Sequence, residues 1–165
     1  MAAGRLKLDD RDIKILSILQ SEGRISKAAL AERVNLSPTP CWERLKRLED
    51  SGIIEGYGAT IATSAYGPIA VLFVMIEIEN HRTEDFAAFE TAIETVPEIV
   101  ECWSISGGFD YLCKFVTRDL SAYQSVIDGL LSNGAGVKRY FTYASMKPVK
   151  RTAIPLDMIE DGRAG

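Results

Sequence analysis

A single histidine, His81, is all the imidazole in this 165-residue chain, and its three cysteines, Cys41, Cys102 and Cys113, stand far apart with no CxxC pair. That scarcity removes most zinc sites and most general-base catalysis, and an odd, scattered set of thiols points to structural cysteines rather than disulfides. Neither a metal nor a cofactor is expected. The chain also has no apolar run of about eighteen residues and no signal peptide, so it is expected to be cytoplasmic and without a membrane partner. Strong basicity is missing too. A net charge of −4 argues against indiscriminate nucleic-acid binding.

What is present divides in two. With 47% apolar residues, the chain can bury one large or two small cores. Residues 1–60 carry ten Lys/Arg against nine Asp/Glu, a net of +1, whereas residues 61–165 carry nine against fourteen, a net of −5. Residues 1–61 read as one domain. Residues 62–68 (ATSAYGP), small and broken by Gly and Pro, read as a linker. Residues 69–150 form a second domain, and 151–165 a C-terminal tail whose last ten or so residues are expected to fray.

The first domain is most informative between Ile25 and Ile54. Ser26 is placed to cap a short helix whose apolar positions Leu30, Ala31 and Val34 share a face. Asn35-Leu36 breaks the pattern. Ser37 then caps a second helix with Pro38 at its first position, where a missing N–H costs nothing. Cys41, Leu45 and Leu48 fall at i, i+4 and i+7 and face inward; Thr39, Glu43, Lys46 and Arg47 project outward, flanked by Trp42 and Arg44. Gly52 ends the helix. Two helices and a tight turn suit a helix-turn-helix, whose second helix lies in the major groove, although an ordinary helical hairpin has the same pattern. Asp9 to Glu22 adds a helix with Ile13, Leu16, Ile18 and Leu19 as its buried stripe, and IIEGYGATI after Gly52 is a short β-prone segment. Three helices and a strand make a winged-type DNA-binding unit. Its near-neutral charge implies few phosphate contacts per copy, so useful affinity requires two or more copies together.

The second domain alternates strand and helix periods. IAVLFVMIEIE (69–79) is a strand and Thr83 to Val96 a helix with Phe86, Phe89, Ile93 and Val96 inward. IVECWSIS is a second strand, followed by the Gly107-Gly108 turn and DYLCKFVT as a third. Leu120 to Leu131 is a helix on Tyr123, Val126, Ile127 and Leu130, and VKRYFTYASM a last strand. This β-α-β-β-α-β order predicts a ferredoxin-like unit, an α+β arrangement with two helices on one face of an antiparallel sheet. The first strand is apolar on both faces. Ala70, Leu72, Val74, Ile76 and Ile78 make one; Ile69, Val71, Phe73 and Met75 make the other, continued by Trp103, Ile105 and Tyr140. An uncovered apolar sheet face marks an association surface, and two sheets packed across a two-fold axis would bury it; another part of the same chain could also cover it.

SGGFDYL (Ser106 to Leu112) is the second motif of interest. Gly107 and Gly108 let a ligand approach exposed backbone N–H groups, which suits a carboxylate. Asp110 could pair an amino group, and Tyr111 could add a hydroxyl or a stacking face. Together they would recognise a zwitterion such as an amino acid; a plain hairpin uses the same residues. The acidic pairs Asp9/Asp10 and Glu84/Asp85 stand at helix starts and favour the macrodipole there, which is expected to be their whole role.

With both halves in view, the chain resembles the Lrp/AsnC (leucine-responsive, or feast/famine) family of transcriptional regulators over residues 7–150. The marks are LDDRDIKILSILQSEGRIS, LAERVNLSPTPCWERLKRLEDSGIIEGY, VPEIVECWSISGGFDYL and VKRYFTYASMKPVK. The resemblance implies a winged-type helix-turn-helix followed by a ferredoxin-like domain of the RAM or ACT kind, sequence-specific binding to double-stranded DNA, homodimers and octamers, and an amino-acid-like effector near the Gly-x-x-Asp turn. It carries DNA contact onto Ser37, Thr39, Trp42, Glu43, Arg44, Lys46 and Arg47. It carries effector contact onto Ser106, Gly107, Gly108, Phe109, Asp110 and Tyr111, and onto Tyr140 and Thr142 of the last strand. Trp42-Glu43 is similar to a subgroup associated with ectoine catabolism, whose effector is an acetylated diaminobutyrate. Two other readings remain at this level. One is a DNA-organising protein with no small-molecule signal. The other is an enzyme like the siroheme decarboxylases, which share the fold but rely on histidines; with His81 alone, no enzyme is expected.

Overall fold

The first helix begins at Asp9, whose carboxylate accepts the N–H groups of Arg11 and Asp12, each at 3.0 Å, while Asp12 Oδ2 accepts the Asp9 N–H at 3.0 Å. This reciprocal capping satisfies donors that a helix start leaves without partners. The computed structural model describes residues 7–62, 65 and 67–156. In it α1 runs Asp10–Ser21, α2 Lys27–Arg33 and α3 Pro38–Asp50. Ser26 caps α2 by accepting the Ala29 N–H at 3.2 Å. Ser37 holds the N-cap position of α3, but its hydroxyl makes no capping bond, so α3 starts on Pro38 rather than on a serine cap. Between α2 and α3, Asn35 takes a left-handed backbone (φ 54°), a conformation its short amide tolerates.

Ile15, Leu16 and Ile18 pack with Leu30, Ala31 and Val34 and with Cys41, Leu45 and Leu48 in one buried cluster. Ile13, expected in the stripe, is only half-buried, and Ile15 is inside instead. The inward position one turn earlier belongs to Asp12, so the face runs Asp12, Ile15, Leu16 at the i, i+3, i+4 spacing. The β-prone segment after Gly52 forms no strand among the described residues. A strand needs a ladder partner, and Gly56 and Gly58 weaken this one further. Instead Tyr57 ties it to α3 with a 2.8 Å bond from its hydroxyl to Glu49.

The chain divides into two units: residues up to Thr60 with the stretch from Lys150, and Ile61–Val149. Half-buried Leu156 packs on the helical cluster, so the segment read as a separate tail contributes to the first unit. Residues 63, 64 and 66 of the expected linker, and the end of the chain expected to fray, lie outside the described residues.

In the second unit, β1 (Ala70–Ile78), α4 (Thr83–Glu94), β2 (Ile99–Ser104), β3 (Tyr111–Thr117), α5 (Leu120–Ser132) and β4 (Val137–Ala144) follow the ferredoxin-like order. The sheet is β2-β3-β1-β4 with every neighbour antiparallel. Cross-strand partners share a face, so the register assigns each row to a side. Ser104, Tyr111, Ile76 and Tyr140 form one row under the helices; Cys102, Cys113, Val74 and Thr142 form the next. Phe89, Tyr123, Ile127 and Leu130 of the helices close over them. The opposite face carries the row Trp103, Leu112, Met75, Phe141, with Phe73 beside Tyr143. Trp103 is 62% exposed, and Ile69, Phe73, Phe141 and Tyr143 are exposed as well. Tyr140 is therefore not on the open face. It lies opposite Ile76 and packs on the core, and Phe141 and Tyr143 take the outward positions.

Phe89 is fully buried between α4 and the sheet. Phe89→Ala should lower unfolding free energy by about 3–5 kcal/mol, because the cavity adds to the lost transfer energy, as read from a urea titration followed by circular dichroism.

Candidate functional site

Helix α3 is held on α1 by charge. Asp12 is fully buried, and its carboxylate receives Arg44 at 2.9 Å and Arg47 at 2.7 Å. Arg44 also reaches Asp9 at 2.6 Å. A buried carboxylate without counter-charges is expensive, so these two arginines are drawn from the helix surface toward the seam. The Asp12 N–H holds the Asp9 carboxyl below the usual carboxylate range; burial opposes it, and the Arg44 guanidinium adds to the lowering. Conversely Asp9, then Asp12, raises Arg44 above its ordinary value.

Of the seven residues assigned to DNA from the sequence, Ser37, Thr39, Trp42, Glu43 and Lys46 face solvent. Trp42 is 39% exposed, and Lys27 of α2 sets its ammonium 3.1 Å over the ring centre, a cation–π contact that fixes the indole. Arg44 is at the seam with α1. Arg47 has one guanidinium nitrogen on Asp12 and its side chain still 44% exposed. Sequence reasoning missed Asp9, Asp12 and Lys27. A signal existed for Asp12: it stands one turn before Ile15 on the inward face, where a carboxylate requires cations.

The second candidate region is the β2–β3 turn. The Ile105 N–H donates to the Asp110 carbonyl at 2.9 Å, closing a loop of Ser106, Gly107, Gly108 and Phe109. Gly107 has φ 133°, a backbone conformation that favours glycine. Ser106, Gly107 and Gly108 are exposed, and the Gly107 and Gly108 amides donate to no backbone carbonyl among the described residues. Asp110 is anchored twice to β1: its N–H donates to the Ile76 carbonyl at 2.9 Å, and its Oδ2 accepts the Ile78 N–H at 2.8 Å. The same oxygen lies 3.2 Å from His81 Nε2. Phe109 stacks edge-on against Phe141 at 5.4 Å, with the Arg139 guanidinium 5.3 Å from its ring centre.

The structure thus brings Ser106 to Asp110 together and takes Tyr111, Tyr140 and Thr142 to the helix side of the sheet. Tyr111 is buried against Phe89, and its hydroxyl donates to Glu90 at 2.7 Å. Burial and then the Glu90 carboxylate push that phenol well above its ordinary value, so it holds a structural bond rather than a free hydroxyl. Thr142 pairs with the Tyr123 hydroxyl beneath the helices. Strand parity decides this, since Asp110 and Tyr111 are neighbours that point to different environments. Among the described residues no group of three or more metal-ligating side chains occurs, and no helix is long and apolar enough to cross a membrane.

Residues 8–55 match the model of the winged helix-turn-helix DNA-binding domain, and residues 71–155 match that of the Lrp/AsnC ligand-binding domain. The chain is 46% identical over 153 residues to the transcriptional regulatory protein DoeX of Halomonas elongata, covering 93% of this chain and 97% of that protein. It is 41% identical over 145 residues to the leucine-responsive regulatory protein of Escherichia coli K12, covering 88% of each. Its fold superposes with a TM-score of 0.85 on a transcriptional regulator of Neisseria meningitidis solved with L-methionine, at 32% identity over 93% of this chain and 99% of that one.

The Asp9 carboxyl, lowered from 3.8 in the folded chain, makes the folded state bind fewer protons than the unfolded state under mildly acidic conditions. Its stabilising effect is complete above that value and disappears as pH falls through the lower folded one. The urea midpoint should therefore drop on acidification below about pH 4, and Asp9→Asn should flatten that part of the profile. A slope identical to that of the parent chain would remove Asp9 from the acid response.

Proposed function

The chain belongs to the Lrp/AsnC family of DNA-binding transcriptional regulators, and from that premise we propose that α3 reads operator DNA while the Ser106–Asp110 turn takes an amino-acid-like effector. The observation that carries this reading is the solvent face of α3, fixed in place by Asp12. Thr39 and Glu43 have the reach for base edges; Ser37, Trp42, Lys46 and the free edge of Arg47 suit the phosphate backbone. Arg44 acts by positioning α3, not by touching DNA. One head is close to neutral, so two are needed, and the Trp103–Leu112–Met75–Phe141 row is the apolar surface by which a second copy joins. Such a homodimer would span half-sites about one helical turn apart or a multiple of it, and dimers would assemble further, as far as octamers. The likeness to transcriptional regulatory proteins supports reading the chain as a cytoplasmic DNA-binding protein rather than an enzyme.

For the effector, the free amides of Gly107 and Gly108 suit a carboxylate, and Asp110 suits an ammonium group. L-methionine, bound by the Neisseria relative, has both groups. An acetylated diaminobutyrate keeps both as well, and the Trp42-Glu43 pair, similar to that of the ectoine-associated subgroup, favours it here. A ligand that binds only the folded state raises apparent stability, so a thermal-shift screen of amino acids and their acetylated derivatives should find one. Asp110→Asn keeps an acceptor for the Ile78 N–H but loses the charge; it should abolish the shift with little change in the ligand-free melting temperature. A retained shift would place the pocket elsewhere.

Lys46→Ala should weaken operator binding in a salt-dependent titration and reduce the slope of log affinity against log salt by about 1. An unchanged slope would remove Lys46 from the phosphate contacts.

A further inference from the structure

Cys102 of β2 and Cys113 of β3 are direct cross-strand partners, with their sulfur atoms 3.3 Å apart. Alternation back from the Ile105–Asp110 hydrogen bond puts them at a non-hydrogen-bonded position, where side chains of an antiparallel pair approach most closely. The two environments differ. Cys113 is fully buried under the helices, whereas Cys102 is half-buried on the edge strand. Cys102 also lines a groove of about 470 Å³ between α4 and β2, shared with Glu90, Pro97, Ser104 and Tyr111. A small polar oxidant entering there meets Cys102 first and finds Cys113 directly behind it.

We propose that Cys102 and Cys113 form a reversible dithiol–disulfide site whose oxidant is a hydroperoxide, with Cys102 as the attacking sulfur and Cys113 as the resolving one. The Cys102 thiolate attacks one peroxide oxygen; the O–O bond breaks, a sulfenic acid forms, and the other oxygen leaves with a proton as water or an alcohol. Cys113 sulfur then attacks Cys102 sulfur. The S–O bond breaks, the S–S bond forms, and the hydroxyl leaves as water with the Cys113 proton. Two thiols lose two electrons and the peroxide gains them. Closing the pair from its present separation to a disulfide length of about 2.05 Å takes a small side-chain shift, with no change of strand register. The hydrogen bond from Cys113 draws the Cys102 thiol below its ordinary value, with burial and then the nearby Glu90 carboxylate opposing, and the same bond with burial raises Cys113. That is the division expected of an attacking and a resolving sulfur. The disulfide would clamp the hairpin just below the Ser106–Asp110 turn.

Reduced full-length protein treated with hydrogen peroxide, then denatured and alkylated, tests this by intact-mass spectrometry. Two of the three thiols should escape alkylation together, the intact mass taken before alkylation should fall by about 2 Da, and a linked Cys102–Cys113 peptide should appear, all reversed by dithiothreitol. Cys102→Ser, at a half-buried position, should keep both remaining thiols alkylatable after the same treatment, and Cys41→Ser should leave the disulfide unchanged. Three alkylatable thiols after treatment, a link between chains, or loss of thiols in Cys102→Ser equal to that of the parent would each overturn the assignment.

Discussion

One buried carboxylate orders the DNA-reading half of this molecule. Asp12 is placed inward by the periodicity of its own helix, and a desolvated charge there must be compensated by paired cations and hydrogen bonds. It receives two arginines from α3 and the N–H of Asp9 from its own helix start. The cost of burial is offset only in one arrangement of the two helices, so the ion cluster gives α3 a fixed rotation about its axis. Apolar contacts alone define that rotation less sharply, because Cys41, Leu45 and Leu48 can tolerate small rolls while a carboxylate held at each oxygen by a different arginine cannot. Which side chains face a groove is a consequence of that rotation.

In the second unit the corresponding constraint is strand parity. Each row across β2, β3, β1 and β4 belongs wholly to the helix side or to the open side. Leu72, Val74, Ile76 and Ile78 commit β1 to a dry interior, and the residues between them are then necessarily outward. Helices cover one side only, so Phe73, Trp103, Phe141 and Tyr143 form an apolar surface too continuous to be incidental. The same parity sends Tyr111 inward one residue after Asp110, where its hydroxyl bonds Glu90 and joins the turn to α4.

Much of this was legible in the chain. The alternation in residues 69–79, the Ser26 cap, Pro38 at a helix start and the Gly107-Gly108 break are local signals, and local geometry decides them. What was not legible depends on pairing across distance. Arg44 and Arg47 look like groove residues until Asp12, more than thirty positions earlier, is seen beside them. Asp9 and Asp12 look like simple helix-start acids for the same reason. IIEGYGATI has the composition of a strand, but composition does not supply a ladder partner. Tyr140 and Phe141 are adjacent aromatics, and only the register with Ile76 and Met75 tells which one is inside. The cysteine pair was within reach. A hairpin folded about Gly107-Gly108 sets residues five positions out on either side opposite one another, and those are Cys102 and Cys113.

The turn between β2 and β3 is mechanically lopsided. Its Asp110 end is bolted to β1 through a main-chain bond to Ile76 and a side-chain bond to Ile78, and the next residue is tied to α4. Its other end, from Ser106 through Gly108, is exposed, and among the described residues the closing bond at Ile105 is the one main-chain bond that holds it. The loop is therefore a vice with one fixed jaw and one loose jaw. A ligand held there would draw the glycine side toward the anchored aspartate, and the pull would fall on β2, the strand at the sheet's margin, before it reached the central strands.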